Sequence, residues 1–302
     1  MSLITSDFPS TAKEFNVGVY LEYSQSALDD AYDQTKWAQN MQQMLDGYGT
    51  QSQRCTAHLG PPSRRSYGSL DVEQLMIFRA AADNAPVHIF VHGGSWRSGS
   101  AAQYTFPAKG FISAGVHYIA LDFSSILDVA GDLRVLVSQV RRAIAWIYNN
   151  ARSFGGDPEK LYIAGHSSGA HLAAVALTTD WSEWDIPGNI LKGGILASGM
   201  YDLHPVRLSA RSRFVRFDAA VEDAFSPYRH VDKLAAPIVV AWGTRESPEF
   251  IAQGQFFART VASAGRPVST FVAEDCNHFE IMNLFAQSGP LSRLSLDQIG
   301  RS

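Results

Sequence analysis

Cysteine is nearly missing from this chain: Cys55 and Cys276 are the only two in 302 residues, and they lie far apart. A disulfide framework and a cysteine-based zinc site are thereby excluded. Long hydrophobic runs are missing too, since none approaches the roughly 18 apolar residues that cross a bilayer. Charge of one sign is also lacking. The formal net charge is -4 at pH 7, with acidic and basic residues mixed along the chain, so nothing marks it for nucleic acid or an anionic membrane surface. The densest basic stretch, Arg207, Arg211, Arg213 and Arg216, alternates with apolar residues. It reads first as a solvated segment and second as an attractor of an anionic substrate. Met1 to Asn16 contain no apolar stretch of signal-peptide length. The expectation is a cytoplasmic protein acting on a small molecule, without cofactor or metal, for which a homodimer is an admissible assembly.

What is present is enough apolar sequence for a sizeable core, 46% of residues, in a length that suits one sheet-based α/β domain. Apolar positions from Ser26 to Leu45 recur at threes and fours, predicting an amphipathic N-terminal helix or two short ones. Gly47 to Gly68, rich in Gly, Pro, Ser and Arg, reads as a loop. Residues 1–69 are thus expected as a helical and loop extension. From Leu70 onward, short β-branched runs alternate with helical patterns, the signature of a mostly parallel sheet flanked by helices. Strands are predicted at Val72–Phe78, Val87–Val91, Val116–Leu121, Leu161–Ala164, Gly194–Ala197, Ile238–Trp242 and Val268–Val272. Helices are predicted between Gly131 and Phe154 and from Ala170 to Leu177. The irregular stretch at about 201–230 is expected to be a cap-like insertion over the site.

Gly165-His166-Ser167-Ser168-Gly169 fits Gly-x-Ser-x-Gly and sits where a predicted strand turns into a predicted helix. That context makes it a nucleophile elbow of the α/β-hydrolase fold, with Ser167 exposed on a strained turn. The Ser168 N–H, at the start of the helix, is a natural donor to an oxyanion. His92-Gly93-Gly94-Ser95-Trp96 follows an apolar strand, the place from which the rest of the oxyanion hole is expected, with the N–H groups of Gly94 and Ser95 as donors. Serine needs a base to become nucleophilic. His278, in a polar turn after the last strand, is the candidate among nine histidines. Chain order places the orienting acid between nucleophile and base. Glu246, just after Ile238–Trp242, fits, with Asp202 and Glu249 as competitors. Cys276, two residues before His278, reads as a bystander because a better nucleophile exists. Trp96 and Tyr104 are candidates for the substrate pocket.

With these motifs the chain resembles the kynurenine formamidase (arylformamidase) branch of the α/β-hydrolases, near the carboxylesterase and hormone-sensitive-lipase-like families. The resemblance rests on His92-Gly93-Gly94-Ser95-Trp96, Gly165 through Leu172, Tyr201-Asp202-Leu203, Ser247-Pro248-Glu249-Phe250 and Asn277-His278-Phe279. The Tyr23 to Tyr32 segment also looks like that family's helical entry. The resemblance implies hydrolysis of an N-formyl or related N-acyl group on an aromatic amine, through an acyl-enzyme on Ser167. The family usually has Tyr where Ser95 stands and Asp where Glu246 stands, so an N-acyl anthranilate is as fitting a substrate as N-formylkynurenine. A carboxylesterase for short-chain esters is the alternative. A non-catalytic ligand-binding relative of the fold is the third reading.

Overall fold

Ala85–Val91 is buried along its whole length, as a strand must be when helices cover both faces of its sheet. In the computed structural model, which describes residues 18–301, this segment lies inside an eight-stranded sheet. The strands are β1 (Ser63–Ser66), β2 (Gln74–Phe78), β3 (Ala85–Val91), β4 (His117–Leu121), β5 (Gly156–His166), β6 (Leu191–Ala197), β7 (Ile238–Gly243) and β8 (Val268–Ala273). Their spatial order is β1-β2-β4-β3-β5-β6-β7-β8. Antiparallel pairing is confined to β1 with β2 and β2 with β4; β3 to β8 run parallel. This is the α/β-hydrolase architecture anticipated from the alternating pattern. The Met1–Asn16 stretch, expected to carry no signal peptide, lies outside the described residues.

The helices are α1 (Gln25–Tyr32), α2 (Met41–Leu59), α3 (Ala108–Ser113), α4 (Leu133–Asn150), α5 (Ser168–Leu177), α6 (Leu203–Leu208), α7 (Ala219–Phe225), α8 (Pro248–Ser263) and α9 (Pro290–Ile299). Strand alternation divides the core in two. Val87, Ile89 and Val91 of β3 pack with the buried faces of α4, α5 and α8, whereas Phe90 joins those of α2, α3 and α9. Each such large side chain contributes about 1.5–3 kcal/mol by leaving water. Among the described residues no helix is long and apolar enough to cross a membrane.

Two segments differ from their sequence reading. Gly47–Gly68 is not a loop: α2 runs through Gly47 and Gly49 to Leu59, and β1 follows. Each glycine costs about 1 kcal/mol in a helix relative to alanine, but Tyr48, Ser52 and Cys55 are buried along one face of α2, so tertiary packing overrides propensity. The chain turns only at Gly60, with φ +83°. β1 went unread because Ser63-Arg64-Arg65-Ser66 is polar, as suits an exposed edge. Residues 201–230 are also more regular than expected. Asp202 and Asp218 accept the N–H groups of His204 and Val221 and so start α6 and α7, which are too short to show a clear period.

The topology positions the site. β3 lies between β4 and β5, and Val91 pairs with Gly165. The peptides that follow these two strands therefore leave the sheet side by side at its carboxyl edge, in the crevice where strand order reverses.

Candidate active site

Ser167 joins β5 to α5 with φ +57° and ψ -124°, a backbone strain that such turns store at functional sites. The turn depends on its glycines. A Cβ on Gly165 would lie 2.4 Å from the Gly169 carbonyl oxygen, and one on Gly169 would lie 2.1 Å from that of Val91. The Ser167 N–H donates to the Ala197 carbonyl at 2.8 Å, pinning the turn to β6. The Ser167 side chain does not cap α5; its hydroxyl instead lies 2.8 Å from His278 Nε2.

The third member of the chain of contacts is Glu246. Its Oε2 is 2.8 Å from His278 Nδ1, and its Oε1 accepts from the Gly243 N–H at 2.7 Å and the Ser198 hydroxyl at 2.6 Å. A carboxylate so placed accepts Nδ1–H, which fixes the tautomer and leaves Nε2 to accept the Ser167 proton. All three side chains are buried. The competing acids are occupied elsewhere: Glu249 accepts from the Tyr32 hydroxyl, and Asp202 caps α6. The Cys276 thiol is pushed up by burial and then by Glu280 and Asp275, which disfavours the thiolate that a cysteine nucleophile needs.

Gly94, Ser95 and Trp96 have φ of +121°, +57° and +60°, three successive left-handed residues that give a concave peptide run. At Gly94 a side chain is excluded, since a Cβ would lie 2.0 Å from the Ser98 carbonyl oxygen. The Trp96 N–H donates to the Ser168 hydroxyl at 3.1 Å, tying this loop to the first turn of α5. Among the described residues the N–H groups of Gly94, Ser95 and Ser168 have no hydrogen-bond partner, so they are free to bind a developing oxyanion.

Neutral histidines buttress these loops. Burial, then the neighbouring His278, brings His166 down to about 3; its Nε2–H donates to the His278 carbonyl at 2.7 Å. His92, lowered by burial, donates Nδ1–H to the Gly93 carbonyl at 2.8 Å and stacks on Phe123. Burial also brings His171 down to about 4; it donates to the Phe225 carbonyl and meets the edge of Trp96.

A cavity of about 410 Å³ opens on Ser167 and His278, lined also by Gly94, Ser95 and Tyr104. Trp96, expected in the pocket, is not among its lining residues. It is 1% exposed, because its φ of +60° turns the ring into the core against His171. Ser168 likewise stays behind the wall, with only its N–H relevant. Ser198 was not among the site residues expected from sequence, and Arg211, whose stretch reads first as solvated and only second as an attractor of an anionic substrate, is buried. Ser198 was findable in principle, for it stands at the carboxyl end of β6, beside the strand that delivers Glu246. Among the described residues no group of three or more His, Cys, Asp or Glu side chains is placed to hold a metal ion.

Comparison with known proteins bears on the same residues. The chain is 32% identical over 244 residues to the kynurenine formamidase of Danio rerio, covering 78% of this chain and 81% of that protein. The chain belongs to the kynurenine formamidase family. The family described as BD-FAE matches residues 74–190, which include the His92 loop and the Ser167 elbow. Esterase LipQ of Mycobacterium tuberculosis is 28% identical over 203 residues, or 62% of this chain and 48% of LipQ. A Silicibacter sp. protein provisionally described as a thioesterase superimposes with TM-score 0.76 at 22% identity, over 89% of this chain and 98% of its own; at that identity the likeness concerns the α/β-hydrolase fold alone. This member of the kynurenine formamidase family is a hydrolase.

Proposed function

We propose that the protein is a serine hydrolase that cleaves the N-acyl amide of an aromatic amine, formyl or acetyl, as in N-formylkynurenine or an N-acyl anthranilate. The observation that carries this reading is the continuous relay Glu246–His278–Ser167, with both contacts at 2.8 Å, beside unpartnered N–H groups on two loops.

The steps follow from that geometry. His278 Nε2 takes the Ser167 proton as Oγ bonds to the acyl carbon, and the carbonyl oxygen becomes an oxyanion facing the N–H groups of Gly94, Ser95 and Ser168. His278 then gives its proton to the departing nitrogen, the C–N bond breaks, and the free arylamine leaves the acyl on Ser167. A water, deprotonated by His278, attacks the ester carbon; collapse releases the carboxylic acid and returns the proton to Ser167. Glu246 stays ionised and stabilises the imidazolium in both halves.

The same machinery opens esters, and the kinship with LipQ favours that as the second reading. Steady-state turnover of N-formylkynurenine and N-acetylanthranilate beside p-nitrophenyl esters separates the two. The amide reading expects kcat/KM for an arylamide at least comparable with that for the ester. Cleavage of esters alone would overturn it.

A further inference from the structure

The segment of alternating arginines, read from sequence first as a solvated face, holds one member that water scarcely reaches. Arg211 is 5% exposed and lines the cavity that contains Ser167 and His278. One guanidinium nitrogen, Nη2, donates to the Tyr32 carbonyl at the end of α1 at 3.0 Å. Its Nε and Nη1 are buried and have no partner. The rings of Trp96 and Tyr32 lie 5.7 and 6.0 Å from the guanidinium carbon, so the cation is held by π-faces and one carbonyl. Among the described residues no carboxylate comes within ion-pair distance of it. Asp33 lines the same cavity; its Oδ1 accepts from the Thr35 N–H and hydroxyl, and it acts on Arg211 only as a nearby charge, without a hydrogen bond or ion pair.

Burial brings Arg211 down to about 10, which leaves it charged at neutral pH. A buried cation with two idle donors is costly unless something anionic completes it. The fork of a guanidinium matches a carboxylate, and the cavity that would deliver one is the substrate's own. Arg97 lines that cavity as well, and Asp33 and Asp46 are the acidic residues of the same lining, so an anion is drawn by the Arg211 fork itself rather than by a net positive wall.

We propose that Arg211 is the specificity residue of this enzyme, binding a carboxylate carried by the amine half of the substrate. The inference rests on the acyl-transfer reading above, in which a formyl or acetyl group is too small to carry the charge itself. The preferred substrates are then carboxylated aryl amides, the ortho-carboxy anilides among them, and neutral anilides are poor ones.

The test compares two matched pairs: N-formylanthranilate with formanilide, and acetylsalicylate with phenyl acetate. In the wild type the carboxylated member of each pair has the higher kcat/KM. In Arg211→Met that preference falls about 100-fold, in the range lost when one partner of a buried hydrogen-bonded charge pair is removed; Arg211→Lys restores part of it. A preference that survives in Arg211→Met overturns the assignment, as does an equal fall for both members of a pair. Should Arg211→Met not fold, inhibition of the wild type by anthranilate and by aniline decides: tighter competitive inhibition by anthranilate, by tenfold or more, supports the proposal, and equal inhibition overturns it. If neither amide is cleaved while the ester pair shows the Arg211-dependent preference, the amide reading fails and the carboxylate site stands. If both amides are cleaved without preference, the carboxylate site fails and the amide reading stands.

Discussion

Ser198 donates its hydroxyl to Glu246 Oε1 at 2.6 Å, while the other oxygen of the same carboxylate meets His278. Ser198 follows β6 with φ +55°, so the end of one strand orients the acid delivered by the next. Ser198→Ala removes one of the three hydrogen bonds that aim Glu246. A typical net contribution of about 1 kcal/mol predicts a roughly fivefold loss of kcat/KM. Glu246→Gln cannot accept Nδ1–H in the same way and is expected to cost about 10⁴-fold in kcat. Steady-state kinetics on both variants, with melting curves to verify folding, checks the ordering.

The oxyanion loop makes a separate prediction. In Gly94→Ala a Cβ would meet the Ser98 carbonyl oxygen at 2.0 Å, so the loop must move and its N–H groups with it. Loss of one oxyanion donor typically costs 10²- to 10³-fold in kcat, roughly 2.7–4 kcal/mol. We expect that loss with KM changed much less, because the interaction forms in the transition state. A rise in KM with kcat preserved would place the donors elsewhere.

Much of this arrangement was legible because strands and motifs adjoin. β3 runs into His92-Gly93-Gly94, β5 runs into the Ser167 turn, and β7 runs into the Glu246 loop, so pattern and chemistry pointed the same way. Where they conflicted, packing decided. α2 contains Gly47 and Gly49 and reads as a loop until Tyr48 and Cys55 find the sheet. Arg211 alternates with apolar neighbours like a surface residue, and only its contact with the end of α1, far away in sequence, reveals its burial. Trp96 follows a strand near the site and so is a pocket candidate by sequence, but its positive φ sends the ring the other way. Contacts of that kind depend on the folded chain and leave no local periodicity.

Stability should fall on acidification through histidines that burial keeps neutral. His88 is brought down to about 3 by burial alone, and both its ring nitrogens lack partners. A depressed folded-state value means that the unfolded chain binds the proton first. The stabilisation is therefore complete above the unfolded value near 6.5 and is lost as pH falls from there toward 3. Each such histidine contributes a slope of up to about 1.4 kcal/mol per pH unit. Urea unfolding between those limits should show a shallower decline in His88→Leu than in the wild type. An unchanged slope would mean that His88 is not the titrating group.

Ser167 is the nucleophile of the proposed reaction, and covalent labelling identifies that residue. After treatment with a fluorophosphonate, intact mass and peptide mapping should show one adduct, on Ser167. Ser167→Ala should fold, take no label and lose turnover of both amides and esters. A label on another residue, or turnover retained in Ser167→Ala, would remove Ser167 from that role.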